Sequence, residues 1–202
     1  MKGRRALILA GTGMLAEVAE DLVAGGWHVV LPSRRYHPIA VPEPKPGIAA
    51  LRALRPRGHL PTNGNGDRGK PGRAIWVEAH WDRPRDLAEK AAAALDGPAE
   101  LLVAWVHEGY RRAVMGAAER LLSPGAPVVE VRGVGGPQVE PQPLLAAHPT
   151  QLVMIGAISD LGGNRPLGHA EIATGVLDAV HRAVEGRAPS LHQVGQSRPL
   201  VR

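Results

Sequence analysis

The stretch from Ala6 to Arg35, ALILAGTGMLAEVAEDLVAGGWHVVLPSRR, constrains the fold more than any other part of the chain. Ala6 to Ala10 is a short unbroken apolar run, the pattern of a strand buried on both faces of a parallel sheet. Gly11-Thr12-Gly13 follows at once, and then a helical pattern begins. Leu15, Val18, Ala19, Leu22 and Val23 fall at i, i+3, i+4, i+7 and i+8, one apolar stripe to lay against a sheet. Gly25-Gly26 closes that helix, and Trp27 to Leu31 reads as a second strand stopped by Pro32.

A strand, glycine turn, helix and strand in this order make a βαβ unit of the length that binds dinucleotides. Gly11 lets the chain turn sharply off the strand, and Gly13 leaves room for a pyrophosphate to approach the backbone. Ala16 takes the third small position, where helix and strand pack closely. The N–H groups of the first helical turn, with the helix dipole behind them, then point at the phosphates. The competing reading is a plain tight turn in some other α/β protein.

The end of the second strand bears on the cofactor. A carboxylate about 20 positions past the glycines would hold the ribose hydroxyls of NAD(H). Pro32-Ser33-Arg34-Arg35 stands there instead, with no acid. Guanidiniums suit a 2′-phosphate, each charge-assisted bond contributing about 1.5–3 kcal/mol. The expected cofactor is therefore NADP(H) rather than NAD(H); the alternative for these residues is a solvated basic loop.

At 202 residues the chain is long enough for one domain with a real core. It has no cysteine and no phenylalanine, so Leu, Val, Ile and Ala must fill the interior, and disulfides, thiolate nucleophiles and Cys-based metal sites are excluded. No apolar run approaches the roughly 18 residues of a membrane span. The chain also enters a strand too soon for a signal peptide. A cytoplasmic protein without a membrane partner is the expectation. The net charge is +5 with arginine far outnumbering lysine, which suits an anionic ligand. The basic residues are scattered and no nucleic-acid motif accompanies them, so nucleic acid is not the expected partner.

Beyond the second strand the pattern fades. Prolines and then RPRGHLPTNGNGDRGKPG predict a flexible surface loop at about 37–72. Ala74 to Val77 is a third strand. Asp82 is expected to cap a helix with Pro84 in its first turn, running to Leu95. Leu101 to Val106 is a fourth strand, followed by a helix with Tyr110, Val114, Ala117, Ala118, Leu121 and Leu122 inward. Pro127 to Val131 and Gln151 to Ile158 are a fifth and a sixth strand, and His169 to Val184 a last helix. Residues 187–202 read as a polar, frayed tail after a single domain of residues 1–186. Alternating strands and helices predict an α/β fold, a doubly wound parallel sheet of about six strands in the order 3-2-1-4-5-6. Ligands in such sheets bind beyond the carboxyl ends of the strands. That rule singles out Gly11 to Leu15, Ser33 to Arg35, Asp82, Ala104 to Tyr110, Arg132 to Gly136 and Ser159 to Gly163.

These features resemble the short-chain dehydrogenase/reductase family, particularly its atypical branch. AGTGMLA at Ala10 to Ala16 is similar to that branch's glycine motif, LVAGGWHVVLPSRR to its run into the cofactor-selecting arginine, and DGPAELLVAWV to the segment entering the fourth strand. RPLGHAEIATGVLDAV is similar to small bacterial members. The likeness covers most of Ala6 to Val131 in layout and is motif-specific only in its first 30 residues. It implies a Rossmann fold that binds NADP, or NAD less readily. Gly11, Thr12, Gly13, Met14 and Leu15 would line the pyrophosphate, and Arg34 the 2′-phosphate with Ser33 and Arg35 beside it. Asp82 would meet the adenine, and Ala104 and Trp105 stand where the family has an Asn-Asn-Ala-Gly stretch that this chain does not match.

The family's catalytic pair, a tyrosine and a lysine four residues later on one helix, is absent. That spacing sets the ammonium beside the phenol and lowers its pKa. The tyrosines are Tyr36 and Tyr110, with Ala40 and Val114 four residues on, and no lysine follows Lys90. Pro137, Pro141, Pro143 and Pro149 leave room for a short turn at best where that helix would run. His107, with Glu108 beside it, is the candidate catalytic residue as a proton donor; its competing reading is a cap on the following helix. His80, His107, His148 and His169 lack metal-site spacing, and no metal is expected. Ser159-Asp160 and Asn164 close over the nicotinamide end or are turn formers. Two functions remain open: an NAD(P)-dependent oxidoreductase acting on a small carbonyl or alcohol, or a catalytically inactive dinucleotide-binding sensor or docking module. The oligomeric state is not legible, and a homo-oligomer is compatible with the sequence.

Overall fold

The computed structural model describes residues 4–10, 13–36, 39, 72–133, 142–161 and 165–196. In chain order its elements are β1 (Arg5–Leu9), α1 (Ala16–Ala24), β2 (His28–Ser33), β3 (Arg73–Glu78), α2 (Pro84–Leu95), β4 (Leu101–Ala104), α3 (Glu108–Glu119), β5 (Val128–Gly133), β6 (Thr150–Ile155), α4 (His169–Val184) and β7 (Ser190–Val194). The strands form one sheet in the order β3-β2-β1-β4-β5-β6-β7, and every neighbouring pair is parallel.

Alternation along each strand sends side chains to two separate cores. On one face Ile8, Val29, Val103, Val129 and Val153 meet Leu15, Val18 and Leu22 of the α1 segment and Ile172, Val176 and Val180 of α4. On the other, Leu7, Leu9, Val30, Leu102 and Val128 meet Leu87, Ala91 and Leu95 of α2 and Val114, Met115 and Ala118 of α3. This double burial is why β1 and β4 read as unbroken apolar runs. Branched aliphatic residues interdigitate closely enough to fill both layers without phenylalanine.

Several expectations are corrected. The sheet has seven strands, not six. Ser190–Val194, assigned to the frayed tail, pairs with β6 from Gln151↔Ser190 to Ile155↔Val194. Its pattern is weak because an edge strand buries one side only. Ser190 and His192 bond to the buried Gln151 side chain, and Gly175 of α4 lies so close that an added Cβ would stand 2.3 Å from Val194 Cγ2.

Pro32 does not stop β2; it pairs with Val77. The Ser33 carbonyl accepts from the Ala79 N–H (3.1 Å), so Ser33 faces β3 and Pro32, one residue back, faces the β1 side. There it lies beyond Val30, the last residue of β2 paired with β1, and its missing N–H costs no ladder bond. Asp82 is not a cap. The N-cap of α2 is Arg83, without a side-chain cap bond, and Pro84 takes the first helical position as expected. Tyr110 is 43% exposed, while Met115 is buried on α3. β4 ends at Ala104 and β6 at Ile155, short of the expected Val106 and Ile158. The expected loop at 37–72 falls almost entirely outside the described residues, as do Val134 to Gly136.

Candidate functional site

The carboxyl ends of β1, β2 and β4 converge on the turn before α1. Gly11 and Thr12 lie outside the described residues; Ala10, Gly13, Met14 and Leu15 frame them. Ala10 has φ 74, a left-handed conformation that costs a residue with a Cβ about 1–2 kcal/mol. Strain of this kind persists where the surroundings impose it, and here the chain must reverse off the last residue of β1. Leu9 is held by its carbonyl to the Trp105 N–H (3.1 Å). A Cβ built on Gly13 meets no atom of the described residues within 4 Å, so its side of the turn is open among them. Leu15, the N-cap of α1, is buried and makes no side-chain cap bond, so no side chain of its own closes that helix end. These features fit a diphosphate group, with the helix dipole aimed at it.

At the end of β2 Arg34 and Arg35 are exposed, and neither forms an ion pair with a described carboxylate. Their backbone is fixed from below. The Trp76 indole Nε1–H on β3 donates to Ser33 Oγ (2.9 Å), and Ser33 Oγ donates to the Arg35 carbonyl (2.8 Å). Tyr36 then packs edge-on to Trp76, ring centroids 5.5 Å apart. Trp76 is a site residue that sequence reasoning missed. It stands 43 positions from Ser33, a separation no local pattern reports. Asp82 is exposed in the turn beyond β3, where Arg83 N–H bonds to the His80 carbonyl (3.1 Å).

At the carboxyl end of β4 Ala104 is buried, and Trp105, just beyond it, packs partly against the core. His107 is the N-cap of α3: its Nδ1 accepts from the Gly109 N–H at 3.4 Å. The capping reading of His107 is thus realised, and with Nδ1 accepting, a neutral ring carries its proton on Nε2. Next to it lies a charged cluster. Arg111 of α3 donates through Nε to Glu130 Oε1, and Glu130 Oε2 accepts from the Leu144 N–H (3.2 Å). Arg132 Nη2 donates to Glu108 Oε2 (3.2 Å). Glu130 and Arg132 are both buried. A charge inside an apolar strand such as VVEVRG almost always has a partner, and that was the available signal for this cluster.

Ser159 and Asp160 serve local structure. The buried Ser159 hydroxyl donates to Glu171 and accepts from the Leu161 N–H (3.1 Å), and Asp160 Oδ2 accepts from the Gly195 N–H (3.1 Å). The Ser159 bond, aided by the Gly168 N–H and by Arg165, holds the Glu171 carboxyl below its ordinary value against the opposing effect of desolvation. Asn164 lies outside the described residues. No group of three or more metal-ligating side chains occurs among the described residues.

No protein-family model and no curated protein matches the chain. Solved structures do. A short-chain dehydrogenase/reductase from Serratia marcescens is similar over 96% of this chain and 98% of its own, with 13% identity and a TM-score of 0.57. A 3-oxoacyl-[acyl-carrier protein] reductase from Brucella melitensis is similar over 96% of both chains, with 12% identity and a TM-score of 0.60. An NADH-dependent reductase complexed with NAD covers 96% of this chain and 95% of its own, at 14% identity and a TM-score of 0.54. The fold is that of a short-chain dehydrogenase/reductase. On this dehydrogenase/reductase fold, residues 142–149, the described part of the connection between β5 and β6, contain no helix. The two tyrosines sit elsewhere: Tyr36 beyond β2 and Tyr110 in the first turn of α3.

Proposed function

We propose that the chain belongs among the short-chain dehydrogenases/reductases and binds NADP(H), in preference to NAD(H), across the carboxyl ends of β1, β2 and β4. The observation that carries this is the pairing of an open turn at Gly13 after β1 with two exposed arginines at the end of β2 that no described carboxylate neutralises. Gly11 to Leu15 would hold the diphosphate, Arg34 and Arg35 the 2′-phosphate, and Asp82, Ala104 and Trp105 the remaining nucleoside and nicotinamide contacts.

We propose further that it is an oxidoreductase for a small carbonyl or alcohol. A bound nicotinamide supplies or accepts the hydride. The chain's part is to orient the substrate and to handle one proton, which His107 does from Nε2 in place of the missing tyrosine. The alternative, an inactive dinucleotide sensor, draws on the absent Tyr/Lys pair alone; the similar structures are described as reductases and dehydrogenases and lend it nothing.

The deciding measurement is thermal stabilisation by NADPH, NADH and ATP. At 100 times Kd a ligand stabilises by about 2.7 kcal/mol. NADPH is expected to act at the lowest concentration, and Arg34→Asp to weaken NADPH much more than NADH. Equal losses would remove the 2′-phosphate assignment, and no response to any dinucleotide would remove the reading. Turnover of a carbonyl panel by wild type but not His107→Gln separates enzyme from sensor.

A further inference from the structure

Arg132 is the penultimate residue of β5 and buried at 8% exposure. β4 stops at Ala104, level with Glu130, so Arg132 stands two residues past the end of the neighbouring strand. That is the edge of the sheet on which ligands of this architecture bind. A guanidinium at such a place carries a desolvation cost that a carboxylate must offset.

Among the described residues two carboxylates belong to this cluster, and they are not equivalent. Glu130 is 3% exposed and bound twice, to Arg111 and to the Leu144 N–H. It is committed to joining α3, β5 and the chain entering β6, a role that Arg111 shares by donating to the Gln142 carbonyl (3.3 Å). Glu108 is 64% exposed, lies in the first turn of α3, and is the carboxylate paired with Arg132 among the described residues. Its second cation, Arg111, is 3.9 Å away and engaged by Glu130. Among the described residues, a solvated side chain on a flexible stem thus supplies negative charge to a buried guanidinium. Another carboxylate can replace it with no change in net charge. The planar fork of Arg132 suits that exchange, since it binds carboxylates through two parallel bonds. His107, the N-cap of α3, immediately precedes Glu108 in the chain.

We propose that Arg132 is the docking point for the carboxylate of a small oxo acid or hydroxy acid, which displaces Glu108 on binding. The carbonyl or hydroxyl half of this assignment rests on the oxidoreductase reading above; the carboxylate half rests on the Arg132–Glu108 geometry. It narrows an unspecified carbonyl substrate to an anionic one and makes Glu108 a gate that competes with it.

Calorimetric titration with benzoylformate and acetophenone, which differ by the carboxylate, tests this with and without saturating NADPH. Benzoylformate is expected to bind and acetophenone not. Arg132→Gln should weaken benzoylformate by about tenfold or more, the loss of one charge-assisted contact. Glu108→Gln should tighten it, because the competitor is neutralised. NADPH affinity, read in the same samples, should be unchanged in both variants. Should Arg132→Gln not fold, the exposed Glu108→Gln decides alone. Equal binding of the two probes, an insensitive Arg132→Gln or a weakened Glu108→Gln overturns the proposal while leaving the dinucleotide reading intact. If NADPH fails to bind, that reading falls separately; benzoylformate binding lost in Arg132→Gln still supports the carboxylate site, and its absence overturns it.

Discussion

Trp76→Phe isolates the support beneath the two arginines that are expected to select the cofactor. Phenylalanine keeps a ring for Tyr36 to meet at about the present 5.5 Å but deletes the indole N–H. The lost bond is the 2.9 Å donation to Ser33 Oγ, which in turn bonds the Arg35 carbonyl. A partly buried hydrogen bond contributes a net of about 0.5–1.5 kcal/mol. Here that energy holds the backbone of Ser33 to Arg35 in one conformation before ligand arrives. Without it the ordering cost is charged to binding, and the Kd for NADPH should rise about 2- to 12-fold. NADH, which has no 2′-phosphate, should change by less than about twofold. Isothermal calorimetry with both cofactors reads the two constants. Ser33→Ala should reproduce the effect, and the double variant should be no worse than either single, since both break one chain of bonds. Equal weakening of NADPH and NADH, or additive losses in the double variant, would refute the reasoning.

Gly175→Ala should destabilise the protein although alanine is about 1 kcal/mol better in a helix. The new methyl meets Val194 Cγ2 at 2.3 Å, and overpacking costs about 1–3 kcal/mol. In a Val194→Ala background the sign should reverse, and a Gly175→Ala single variant more stable than wild type in denaturant would show that β7 is not docked on α4. Burial, followed by Arg73 for His28 and Arg182 for His192, lowers both histidines below 6.5. The native state then binds fewer protons than the unfolded one, so this stability is full above 6.5 and is lost as pH falls through it toward the depressed native values. The melting temperature should fall on that descent, and His192→Gln should flatten the fall. Ser159→Ala should lower stability at neutral pH, because it removes the main cause of the depressed Glu171 carboxyl. The difference from wild type should narrow as pH drops below 4.5, the carboxyl's ordinary value; a gap that stays constant into acid would place the effect elsewhere.

The amino-acid sequence by itself determined the layered α/β architecture, the strand order through β6 and, Tyr110 apart, the inward faces of the helices. Burial on both sides of a parallel sheet forces unbroken apolar runs, and burial on one side of a helix forces a 3.6-residue repeat, so both are written in the order of residues. The candidate site at the glycines after β1 and the arginines after β2 was proposed from the sequence for the same reason, since it depends on neighbours close in the chain. Tertiary structure alone decided the rest. β7 exists because Gln151, Gly175 and β6 receive it, Pro32 is tolerated because the pairing of β2 with β1 stops at Val30, and Trp76 reaches Ser33 across the sheet. Arg132 and Glu108 meet only when β5 and α3 are packed. Periodicity records which side of an element faces away from water. It does not record which distant side chain will be waiting there, and hydrogen bonds and ion pairs depend on that second fact.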